Sequence, residues 1–96
     1  MLEAGRINAI VGDAARKSLK ARSVLDVLSS PSTDSEGRDA LLITIVVTPT
    51  SAANLGGDAA LNTVVLVQNE LAKAGELRLP LIEFSTKKEL AAGGGS

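Results

Sequence analysis

At 96 residues and a formal net charge of -1, the chain has material for one hydrophobic core and not for two. It contains no cysteine and no histidine, which excludes disulfides, thiolate chemistry, zinc hydrolase centres and any Ser-His or Cys-His triad. Hydrophobic residues make up 45% of the chain, yet Phe84 is its single aromatic residue, so the core is aliphatic and lacks the aromatic anchors that dominate tight interfaces.

In chain order, the first predicted element is a helix from Glu3 to about Lys20. Ile7, Ile10, Val11, Ala14 and Ser18 recur at the three-four spacing of one helical stripe, with Leu19 at its margin. Arg16, Lys17 and Lys20 fall in the expected last turn, where cations interact favourably with the helix dipole. Ser23–Leu28 reads as a short strand. Ser29–Glu36, followed by Gly37, is dense in turn-forming residues and reads as a polar loop. Ala40–Val47 is the clearest strand, rich in β-branched residues, and a hairpin with the first strand follows.

Thr48-Pro49-Thr50-Ser51 ends that strand and opens a linker to Gly56-Gly57. Asp58 then reads as the N-cap of a helix Ala59–Ala74, with Gly75 closing it. Leu61, Val64, Val65, Leu71 and Ala72 form its expected apolar face, widened by Leu66 and Val67. Leu79–Phe84 is a third strand with Pro80 near its start. Thr86–Leu90 adds a helical turn, and Gly93–Ser96 reads as a flexible linker, placing the domain in residues 1–90 and a tail in 91–96.

The order α-β-β-α-β specifies an α+β two-layer sandwich. Its expected core is a three-stranded mixed sheet, with the last two strands parallel and two helices on one face. Alternation along the strands then decides what the other face carries. Leu41, Ile43, Ile45 and Val47 belong under the helices. Val24, Leu28, Leu42, Val46 and Leu81 fall on the opposite face, with Asp26 and Glu83 among them. Solvated sheet faces carry mainly polar side chains, and contiguous apolar patches mark interfaces.

Other chemistry is weakly supported by the residues. Asp34, Glu36 and Asp39 lack the full ligand alternation of a calcium loop, and no metal or cofactor is expected. Gly56-Gly57 precedes a helix as phosphate-binding loops do, but no Gly-Lys-Ser or Gly-Lys-Thr follows. Ser35–Asp39 before an apolar strand bears comparison with a minimal nucleotidyltransferase. That motif needs a Gly-Ser pair and two strand aspartates one residue apart. Leu41 stands at the second aspartate position and no Gly-Ser pair precedes it, so the comparison fails on both requirements.

Residues 1–22 hold Arg6, Arg16, Lys17, Lys20 and Arg22 against Glu3 and Asp13. This basic end gives the alternative reading, a small nucleic-acid-binding accessory protein using Arg16, Lys17, Lys20 and Arg22. It has no Gly-x-x-Gly clamp and no stacking aromatic apart from Phe84. The leading expectation is a non-enzymatic protein-interaction or regulatory module that forms a homo-oligomer or binds another protein. No membrane association and a cytoplasmic location are expected, because no apolar run approaches the ~20 residues of a membrane span.

Overall fold

The three-four apolar spacing of the N-terminal segment is realised as α1, Ala4–Ser18, in a computed structural model that describes residues 2–94. Ile7, Val11, Ala14 and Ala15 of α1 are buried. The helix ends at Ser18, where the Leu19 N–H donates to the Ala15 carbonyl at 2.7 Å. Lys20 therefore stands beyond the last turn, just before a single 3-10 turn at Ala21–Ser23.

Strand β1 spans Val24–Thr33 and pairs antiparallel with β2, Asp39–Val47. The segment Ser29–Thr33, expected as loop, is strand: Ser29 pairs with Ile43, Pro31 with Leu41 and Thr33 with Asp39. Backbone pairing with the strongly β-forming partner outweighs the local turn preference. Pro31 is tolerated because β1 lies at a sheet edge. The turn itself is confined to Asp34–Arg38. The Gly37 N–H donates to the Asp34 carbonyl, and Gly37 takes φ 81°, the left-handed conformation such hairpins require.

After β2, the expected linker contains a short helix, α2, Pro49–Asn54. Pro49 occupies the first turn, and the Thr48 hydroxyl accepts the Ser51 N–H at 3.1 Å. Helix α3 runs Gly57–Lys73. Its N-cap is Gly56, without a side-chain cap, so Asp58 is not the cap but a first-turn carboxylate aligned with the helix dipole. Gly75, at φ 90°, closes the helix: its N–H reaches the Ala72 carbonyl and that of Glu76 reaches Leu71, each at 3.0 Å.

Strand β3, Leu79–Ser85, pairs parallel with β2, giving the sheet order β1-β2-β3. Helix α4, Lys87–Gly94, extends through residues expected as tail, whereas Gly95 and Ser96 lie outside the described residues. Thr86 and Glu89 form a reciprocal capping box at its start, with side-chain-to-backbone distances of 3.0 and 3.2 Å.

Helices α1 and α3 pack on one another and on one sheet face, the α+β arrangement expected from the sequence. Their core joins Ile7, Val11, Val67 and Leu71 to Leu41, Ile43, Ile45 and Val47. Each such side chain contributes roughly 1.5–3 kcal/mol when fully buried. The buried stripe of α3 is Thr63, Val67 and Leu71; of the apolar face expected from the sequence, Leu71 and Val67 lie on it, whereas Leu61, Val65 and Ala72 are exposed. Thr63 donates to the Ala59 carbonyl at 2.9 Å, so the Ser18 hydroxyl 2.7 Å away donates to Thr63. These bonds satisfy a polar group inside the apolar stripe.

Candidate functional site

The sheet surface away from α1 and α3 is built in four rows by the strand register. Asp26, Val46 and Ser85 form the first row, and Leu28, Thr44 and Glu83 the second. Ser30, Leu42 and Leu81 form the third, and Ser32, Ala40 and Leu79 the fourth. Leu28, Leu42 and Leu79 are 45%, 39% and 43% exposed, and Leu81 is half-buried. The last three rows therefore present leucines from all three strands.

Of the five residues expected on this face, Leu28, Leu42 and Leu81 share its accessible part. Val46 is on the same face but is buried on the central strand. Val24 is not on it. The pairing skips from Val24–Val47 to Asp26–Val46, leaving Leu25 as an extra residue in a bulge. That residue offsets the alternation by one, so Val24 joins the core at 5% exposure and Leu25 turns out to solvent. Leu79 was missed. Continuing the alternation from Leu81 across Pro80 places it on this face.

Both carboxylates of the face have partners. Asp26 accepts the N–H of Val27 at 2.8 Å, and Glu83 accepts the Thr44 hydroxyl at 2.8 Å. Neither is left buried and unpaired, and Asp26 lies in the end row, away from Leu42 and Leu79.

The basic residues of the N-terminal region do not form one patch. The Arg16 guanidinium folds back over Gly12. Lys17 lines a groove between α1 and α3, about 310 Å3, together with Arg6, Lys73, Asp13 and Glu70. Lys20 and Arg22 line a separate cleft of about 470 Å3 beyond the end of β2.

The acidic loop is organised around its own cation. Asp34 accepts the backbone N–H groups of Glu36 and Arg38, each at 2.9 Å, and pairs with the Arg38 side chain at 2.8 Å. The Arg38 backbone N–H is the main cause holding the Asp34 carboxyl below its ordinary range. Among the described residues, no three acidic side chains converge as a metal-ligand set. A second pair, Glu76 and Arg78, is buried between the end of α3 and β3 and holds the backbone of Leu2.

Comparison with family models, with curated proteins and with solved structures finds no match to this chain.

Proposed function

We propose that this chain is a non-enzymatic interaction module whose outer sheet face associates with a second copy of itself. The observation that carries the reading is the set of accessible leucines, Leu28, Leu42, Leu79 and Leu81, spread over three adjacent strands. A two-fold arrangement centred on Leu42 carries Asp26, in the end row, to opposite rims, while Glu83 keeps its bond from the Thr44 hydroxyl.

The dimensions set the expected strength. Strand spacing near 4.8 Å and rows about 6.7 Å apart give a face of roughly 300–400 Å2. Stable interfaces bury about 800 Å2 per partner, so the association is weak and reversible, with dissociation in the micromolar range or above.

Replacing Leu28 and Leu42 together by lysine tests the face. Both side chains are already accessible, so the variant keeps its circular dichroism spectrum, and light scattering gives the monomer mass at concentrations where the parent chain is heavier. A double variant as heavy as the parent would place the contact elsewhere. Val46→Lys is unsuited to this purpose, since Val46 is 2% exposed and a lysine there opposes folding itself.

A further inference from the structure

We propose that the cleft beyond the carboxyl end of β2 is a binding site for the phosphate group of a small ligand. The cleft encloses about 470 Å3 and is lined by the polar side chains of Lys20, Arg22, Thr50 and Ser51 together with the apolar ones of Leu19 and Leu55. Both charged side chains lining it are cations. Among the described residues, neither Lys20 nor Arg22 takes part in an ion pair. The groove between α1 and α3 differs on this point, because Asp13 and Glu70 line it beside its three cations.

The walls are held by the main chain. The Thr48 N–H donates to the Ser23 carbonyl at 3.0 Å, tying the end of β2 to the 3-10 turn that carries Arg22. Thr48 in turn caps α2, which presents Thr50 and Ser51. The cleft also lies where β2 leaves the sheet for the crossover to its parallel neighbour β3.

An arginine fork and a lysine ammonium suit the tetrahedral oxygens of a phosphate, with hydroxyl groups to complete the set. The volume falls in the range of small-molecule sites and leaves room for an organic body against Leu19 and Leu55. The site shares no lining residue with the leucine face.

The test is an NMR titration of the full chain with inorganic phosphate and, separately, with adenosine monophosphate, chloride holding the ionic strength constant. The site predicts saturable amide shifts confined to Leu19–Ser23, Thr48–Leu55 and Ala59. Tighter binding of the nucleotide identifies an organic phosphate as the ligand, and its exclusion identifies free phosphate; both support the site. Lys20→Ala with Arg22→Ala weakens binding at least about tenfold, the loss expected for charge-assisted hydrogen bonds. Lys17→Ala with Lys73→Ala removes the same charge and leaves binding within about twofold, since screened charges outside the cleft matter little. Absence of saturable shifts with either compound, or equal weakening by the two double variants, would overturn the proposal.

Discussion

Glu76 joins three parts of the chain through one carboxylate. Oε1 accepts the Leu2 N–H at 3.1 Å and Arg78 Nη2 at 2.8 Å, while Oε2 accepts the Arg78 backbone N–H and Nε, each at 3.0 Å. Arg78 Nη2 also donates to the Leu2 carbonyl at 3.1 Å, so the pair fixes the approach to α1 against the approach to β3. Hydrogen bonds from the Arg78 side chain, more than any other cause, lower the Glu76 carboxyl from 4.5 to about 2. The hydrogen bonds to Glu76 in turn raise Arg78 above its ordinary value. Because the folded carboxyl binds its proton less readily than the unfolded one, this contribution is full above the ordinary carboxyl range. It is lost as pH falls from about 5 toward 2, and amounts to at most about 3 kcal/mol. Glu76→Gln should therefore lower the urea midpoint clearly at pH 7 and much less near pH 3. An equal difference at both pH values would show that the charge of Glu76 adds nothing.

The bulge in β1 makes a sharp distinction between neighbours. Val24→Ala should cost roughly 1.5–3 kcal/mol in urea unfolding, the value of a buried aliphatic side chain. Leu25→Ala should cost less than about 0.5 kcal/mol, as exposed substitutions do. The opposite ranking would mean that strict alternation holds through Leu25 and that the two faces of β1 are exchanged. The sheet was legible in the sequence because its central strand carries a continuous β-branched run, Ile43–Val47, closed by Pro49. The bulge was not, since an extra residue changes pairing without changing composition. Helix α3 was legible as an element through Gly75, but its buried side was hidden by Thr63, whose hydroxyl is satisfied inside the stripe by Ala59 and Ser18. The leucine face was legible wherever alternation ran cleanly, at Leu28, Leu42 and Leu81. The Lys20–Arg22 cleft was not, because its walls come from Leu19–Ser23, from the Thr48–Leu55 segment and from Ala59 of α3, which the fold brings together from distant parts of the chain.

At the scale of the whole molecule, the sheet separates two surfaces of opposite character. One side holds α1, α3 and the aliphatic core; the other presents leucines from three strands to solvent. No described helix is long and apolar enough to cross a membrane, and the partner proposed for the leucine face is a second copy of the chain. Its limited area predicts association that responds to concentration within an accessible range. Sedimentation of the unmodified chain from micromolar to millimolar concentration measures this directly. The account predicts a mass that rises smoothly from 9.8 kDa toward twice that value as concentration increases. A chain that remains at the monomer mass throughout would contradict it.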